Sequence, residues 1–227
     1  MLILPSRGRP DQLKRFFVES LPEVPGVVLL DEDDFEKYEN VPMPPNWTVH
    51  VGKRVFVVPK YNRGFGLYPH EDWYGWIGDD FVCKTPRWDT QLRDEALAGY
   101  IAWGDDTINH DKNSCAPFIP GAIVRKAGWL AWPGTHHLYC DEIWWQIAHA
   151  LGIARYRSDI VTKAYHWSVG NQEFDKTAEE RGQGGDDIRY DEFKKSGEYE
   201  RLIGKLRTCL PLKLHEPSGT IREEVRA

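Results

Sequence analysis

A chain of 227 residues with a formal net charge of -6 has room for one large domain, or a domain with an appendage, and lacks the bulk positive charge by which nucleic-acid binding announces itself. Hydrophobic residues make up 41%, enough for a sizeable core, yet no apolar run approaches the ~20 residues of a membrane span, and the opening Met1-Leu2-Ile3-Leu4-Pro5 is too short for a signal h-region. Cys83, Cys115, Cys140 and Cys209 form no CxxC, which argues against a zinc site or a disulfide scaffold, so a soluble cytoplasmic protein with buried thiols is expected.

Residues 2–4 read as a short buried strand, broken by Pro5-Ser6-Arg7-Gly8-Arg9-Pro10. From Asp11 a helical pattern puts Leu13, Phe16, Phe17 and Leu21 on one face. The loop between them lies at the carboxyl end of a strand, where open α/β sheets bind ligands, and Arg7 and Arg9 suit a diphosphate there. Residues 27–30 form a second strand that ends in Asp31-Glu32-Asp33-Asp34, either a set of acceptors for a base or ribose or an acidic helix start. Residues 40–45 are a Pro-rich loop, and 47–51 and 55–58 read as two further strands. The basic, glycine-bearing segment 60–66, with Arg63, then lies between strands and offers a phosphate contact.

Residues 74–82, Tyr-Gly-Trp-Ile-Gly-Asp-Asp-Phe-Val, are apolar and aromatic on both sides of Asp79-Asp80. That is how a buried strand looks when it ends by pushing acids into a cleft. Two adjacent carboxylates repel each other away from water, and a hard divalent cation such as Mg2+ or Mn2+ relieves the repulsion. A solvated turn is the plainer alternative for the pair taken alone. A helix opens at 85–89 with Leu92, Ala96 and Leu97 as its stripe. Residues 103–106 hold a second acidic pair, read as a polar loop, and 115–124 resume strand character with a bend at Gly121.

After a short turn at 125–130 and a loop at 132–137, the strongest helix starts at 139–142 and carries Ile143, Trp144, Ile147, Ala148 and Leu151 at helical spacing up to Gly152. Asp141 there is either a cap or a carboxylate at the mouth of a cleft, able to take a proton from a hydroxyl. Residues 160–167 read as a last strand ending on His166, a candidate third metal ligand. Beyond Lys176 the chain is charged and glycine-broken, with one helix expected over about 190–206 and a loosely held end over 214–227. The alternation of strands and helices as far as residue 166 predicts an α/β fold with a mainly parallel sheet flanked by helices.

Taken in order, Leu4-Pro5-Ser6-Arg7, the acids after strand two, Asn62-Arg63-Gly64, Ile77-Gly78-Asp79-Asp80, Pro86-Arg87-Trp88, Asp141-Glu142 and His166 resemble a GT-A-fold glycosyltransferase of the family-2-like kind also found in phage genomes. The resemblance covers roughly residues 2–175 and implies a GT-A-like, Rossmann-like catalytic domain over 1–175 with a mostly helical extension and loose tail over 176–227. It implies that Pro5, Ser6 and Arg7 line the nucleotide pocket, that Asp31 or Asp33 meets the base, and that Arg63 lies near the base or diphosphate. Asp79-Asp80 stand where the family has its D-x-D motif, with Asp80 as direct metal ligand, Asp79 toward the donor and His166 completing the site. Gly78 departs from that motif, because it occupies the place of the first acid.

The same resemblance implies Asp141 as catalytic base, with Glu142 as its adjacent rival. The function so implied is a metal-dependent, inverting transfer from a nucleotide-diphosphate sugar, UDP-sugar first, with Mn2+ or Mg2+, to a hydroxyl of a glycan or of a hydroxymethylated base in DNA. The setting would be the host cytoplasm if the chain is phage-encoded, with no membrane. The rival readings are a sugar-phosphate nucleotidyltransferase, disfavoured by the lack of a triphosphate loop near the start, and a non-catalytic carbohydrate-binding module. The aromatic segment 129–139 is the expected acceptor wall or else a core cover.

Overall fold

A computed structural model gives the fold, with residues 1–174, 179 and 185–210 described. The strands are β1 (Leu2–Pro5), β2 (Gly26–Asp31), β3 (Trp47–Gly52), β4 (Trp73–Trp76), β5 (Phe81–Cys83), β6 (Ile101–Asp105), β7 (Phe118–Pro120) and β8 (Ala154–Ala164). They form one eight-stranded sheet in the order β3-β2-β1-β4-β7-β6-β8-β5. One half, β3-β2-β1-β4, is wholly parallel, as expected. The other half is mixed, with β6 and β8 parallel but β7 antiparallel to both its neighbours and β5 antiparallel to β8.

Period-2 alternation sends the apolar strands to two cores. Ile3, Val27, Leu29, Tyr74, Trp76, Ile101 and Trp103 face one side. There they meet α2 (Val57–Leu67), α4 (Gly121–Ala127), α5 (Cys140–Leu151), α6 (Asp186–Lys195) and α7 (Glu198–Arg207). Leu2, Leu4, Val28, Leu30 and Phe118 face the other side, under α1 (Pro10–Ser20) and α3 (Trp88–Leu97). Burial on both faces is why these strands are near-continuous apolar runs.

Several expectations need correction. The run 55–58 is not a strand. It leads into α2, whose first turn takes Pro59, where a missing N–H costs nothing. Residues 60–66 are therefore helical rather than a phosphate loop. Gly64 serves helix–sheet packing, since a Cβ there would press on Ile3 and Leu29. Segment 103–106 is not a loop either, because Ile101-Ala102-Trp103 is buried strand and the acids are its end. Strand character after Cys115 lasts only through β7, and Gly121 begins α4, with Ile123, Val124 and Ala127 on its buried face.

Leu21 caps α1 in a left-handed conformation and is exposed. The single helix over 190–206 is two helices, α6 and α7, broken where Gly197 adopts φ +72. Both contribute to the core beside α4 and α5 through Tyr190, Phe193, Ile203 and Leu206. The expected loose end at 214–227 lies outside the described residues.

Candidate functional site

A cavity of about 870 Å3 opens at the carboxyl ends of β1, β4 and β8. Its floor follows from two parallel neighbours. β1 delivers Pro5 and Ser6, and the backbone leaving β4 delivers Gly78, Asp79 and Asp80. Ser6 Oγ donates to Asp79 Oδ2 at 2.5 Å and lies 2.9 Å from the Tyr38 hydroxyl. Arg9 Nη1 stands 3.4 Å from Asp79 and 3.8 Å from Asp80, so one guanidinium is shared between the two acids. Asp79 is 5% exposed. Burial pushes its carboxyl up to about 7 against the pull of Arg9, and the Asp80 charge adds to the rise.

His166 reaches this floor through strand pairing. β5 and β8 run antiparallel with Phe81 opposite Ala164, and the register continues as the Tyr165 N–H donates to the Asp80 carbonyl at 2.8 Å. Asp79, Asp80 and His166, 86 positions apart between the last two, thus line the same cavity. His166 Nδ1 lies 2.6 Å from Ser168 Oγ, which sets the ring orientation. Among the described residues no three His, Cys, Asp or Glu side chains already stand in a metal-holding cluster. The two carboxylates are nonetheless hard donors that suit Mg2+ or Mn2+, and the buried Asp79 sits where more positive charge would be favourable.

The basic wall is built on Asp31, which is fully buried at the end of β2. Lys60 Nζ contacts its Oδ2 at 2.7 Å and Arg7 Nη1 at 3.0 Å. Arg7 also grips Asp33 with both terminal nitrogens, at 2.7 and 3.0 Å. The Lys60 ammonium is held below its usual range by burial, which the Asp31 carboxylate only partly opposes. Arg7 and Lys60 line the cavity, with Arg9 and Arg54, whereas Asp31, Asp33 and Arg63 are not part of that lining. Arg63 belongs to α2, with Nη2 3.9 Å from Asp31 Oδ1.

The opposite wall starts at Tyr139, whose left-handed φ of 67 turns the chain into α5. Asp141 lines the cavity. Its Oδ2 accepts from Asn113 Nδ2 at 2.9 Å and Cys115 Sγ at 3.6 Å. Glu142 points elsewhere, accepting from the Tyr190 hydroxyl at 2.8 Å and Gln146 Nε2 at 3.0 Å. From the expected acceptor segment, residues 136–139 line the cavity, whereas Trp129 and Trp132 pack with the core. The 136–138 loop presents three successive backbone N–H groups to the Asp186 carboxylate, at 2.9, 2.8 and 2.8 Å. Such a nest is an anion site, here filled by the chain's own acid. Burial raises the Asp186 carboxyl, but those N–H donors outweigh it and hold the group below the ordinary range. Phe56 stacks on His136 with ring centroids 5.0 Å apart and planes 3° apart.

Local sequence does not single out Arg54, Asn113 or Asp186, whereas Lys60 belongs to the basic segment 60–66 from which a phosphate contact is expected and Asp106 to the second acidic pair, expected in a polar loop. Asp106, 1% exposed at the end of β6, also lines the cavity and accepts backbone N–H bonds from Ile108, Asn109 and His110.

No family model and no curated protein matches this sequence. Solved structures do resemble it. TarS from S. aureus aligns with a TM-score of 0.50 and 10% identity, over 94% of this chain and 49% of that one. The mannosyltransferase PcManGT from Pyrobaculum calidifontis, in complex with GDP-Man and Mn2+, aligns at 0.49 and 10%, over 92% and 72%. The catalytic domain of Drosophila beta1,4galactosyltransferase 7, in complex with xylobiose, aligns at 0.40 and 13%, over 78% and 76%. The chain spans about half the length of TarS. At 10% identity that likeness is one of fold, in agreement with the expected GT-A-like α/β sheet.

Proposed function

We propose that the protein is an inverting glycosyltransferase that moves a sugar from a nucleotide-diphosphate sugar, with a UDP-sugar as first choice, to an acceptor hydroxyl on a glycan or a hydroxymethylated base in DNA. In this reading residues 1–175 are the catalytic domain and 176–227 its helical extension. The observation that carries it is the meeting of Asp79, Asp80, His166 and Asp141, from three distant parts of the chain, in one cavity rimmed by Arg7, Arg9, Arg54 and Lys60.

Breaking the anomeric C–O bond leaves negative charge on the departing diphosphate. Arg7, Arg9, Arg54 and Lys60 line the same cavity and would supply positive charge to that diphosphate. Asp80 and His166, backed by Asp79, would hold a divalent cation, which when bound supplies further positive charge to the same diphosphate. Asp141, oriented by Asn113, takes the proton from the acceptor hydroxyl as that oxygen attacks the anomeric carbon.

Calorimetry with UDP- and GDP-sugars, with and without Mn2+, tests the reading. Metal-dependent donor binding followed by transfer supports it. Binding of a nucleoside triphosphate with a sugar phosphate and release of pyrophosphate would replace it by a nucleotidyltransferase, and binding of glycan alone by a carbohydrate-binding module.

A further inference from the structure

A second concavity, of about 360 Å3, lies between the start of β8, the second half of α5 and the 106–116 segment. Trp103, Trp145, Tyr156 and His149 supply its rings, and Asp111 and Lys112 its polar rim. The rings form one cluster, with centroid distances of 4.2 Å for Trp145–His149, 6.1 Å for Trp103–His149 and 6.2 Å for Trp103–Tyr156. Trp103 is 1% exposed, and its indole N–H finds no acceptor among the described residues. His149 Nδ1 lies 2.8 Å from the Trp145 carbonyl, which can only accept, so the proton is on Nδ1 and Nε2 is an acceptor in the neutral ring. The cleft therefore combines aromatic faces with an acceptor, His149 Nε2, and the polar rim of Asp111 and Lys112.

The 106–116 segment joins the two concavities. Ile108, Asn109 and Asn113 line the main cavity, while Asp111 and Lys112 line the second. Trp145 Nε1 donates to the Asp111 carbonyl at 2.7 Å and ties the segment to α5, the helix that carries Asp141.

We propose that this cleft is a subsite for a neutral pyranose ring of the acceptor, one unit or more away from the hydroxyl that reacts. The assignment rests on the glycosyltransferase reading for its substrate, though not for its geometry. A pyranose offers apolar C–H faces to stack on rings and hydroxyls that both give and receive hydrogen bonds, which is the chemistry of this lining. A single nucleic-acid strand could stack its bases on the same rings, but it needs a cationic track for its phosphates. Here the one lysine is offset by Asp111, and Asp105 lies beside Tyr156.

Saturation-transfer NMR on the full chain, with the methyl glycosides of glucose, galactose, mannose and N-acetylglucosamine as probes, tests it. At least one glycoside receives saturation, and His149→Ala and Tyr156→Ala each weaken its binding by up to about tenfold. Asp80→Asn, in the main cavity, leaves it unchanged. His149 is exposed, so that variant keeps its fold, which circular dichroism verifies. The proposal is overturned if no glycoside is saturated, if the signal survives both cleft variants, if it is lost in Asp80→Asn, or if a single-stranded oligonucleotide binds with the same variant sensitivity. Donor binding, read by calorimetry on the same samples, reports on the main cavity separately, so either reading can fail without the other.

Discussion

The carboxylate of Asp80 folds back over Gly78, so that a Cβ added at 78 would fall on Asp80 Oδ1. Glycine at 78 therefore has a steric role. It leaves room for the Asp80 side chain as that side chain lies against the floor of the cavity. Gly78→Ala is expected to push the carboxylate aside at little cost in stability, because the atom displaced is the end of a side chain. Transfer should fall about 10²-fold, the scale of a displacement near 1 Å at a reacting centre. Asp80→Asn should nearly abolish both transfer and Mn2+-dependent donor binding. Wild-type turnover by either variant, measured as donor consumed, would remove Asp80 from the proposed site.

Asp141 and Glu142 are adjacent, but only Asp141 lines the cavity. Asp141→Asn should keep the Asn113 contact in part, bind donor normally in calorimetry, and lose roughly 10²–10⁴ in transfer rate. Glu142→Gln should keep its rate and instead lower stability by about 1 kcal/mol, since it weakens the hydrogen bonds from Tyr190 and Gln146. If the two variants exchange these effects, the base is Glu142.

Asp186 ties the cavity loop to α6 through three backbone N–H groups. Its folded-state pKa is depressed, so the folded protein binds that proton less readily than the unfolded chain. The stabilisation is present above the ordinary carboxylate value of 3.8 and is lost as pH falls through the lower folded value. Asp186→Asn should cost about 2–3 kcal/mol at neutral pH, the worth of charge-assisted bonds of this kind. The difference from wild type should shrink below pH 3.8 in thermal melts. A difference that is the same at every pH would mean that packing, not charge, accounts for the loss.

Lys60 and Asp31 form a buried pair, 3% and 0% exposed. Lys60→Met should destabilise toward the lower end of the ~3–5 kcal/mol typical of a broken buried pair, because Arg7 still reaches Asp31. The exposed pair Lys84–Glu19 supplies the contrast, and Lys84→Met should leave a denaturant midpoint unmoved. Equal midpoints for all three proteins would show that Asp31 is adequately neutralised by Arg7 alone.

Much of this architecture was readable from residue order. The strands at 2–4 and 27–30, the acids at 79 and 80, and the stripe Ile143, Trp144, Ile147, Ala148, Leu151 stand out because burial on two faces, or on one helical face, imposes a period that local sequence must obey. The four apolar residues at 55–58 carry no period that separates strand from helix, and with them taken as a strand the glycine-bearing 60–66 reads as a loop, whereas it is α2. Ile101-Ala102-Trp103 was too short a run to signal β6 and its terminal acids.

Chain order by itself determined the two apolar faces of the sheet and the ends of strands where charge collects, since each depends only on neighbours a few residues apart. It left open which acid of the 141–142 pair turns inward, which cations reach the cavity, and that Asp186 would fill the nest of the 136–138 loop. Those were decided by tertiary structure, because side-chain direction and strand register depend on partners distant in sequence: β8 crossing beside β5, α2 under β1 and β2, and α6 returning to α5.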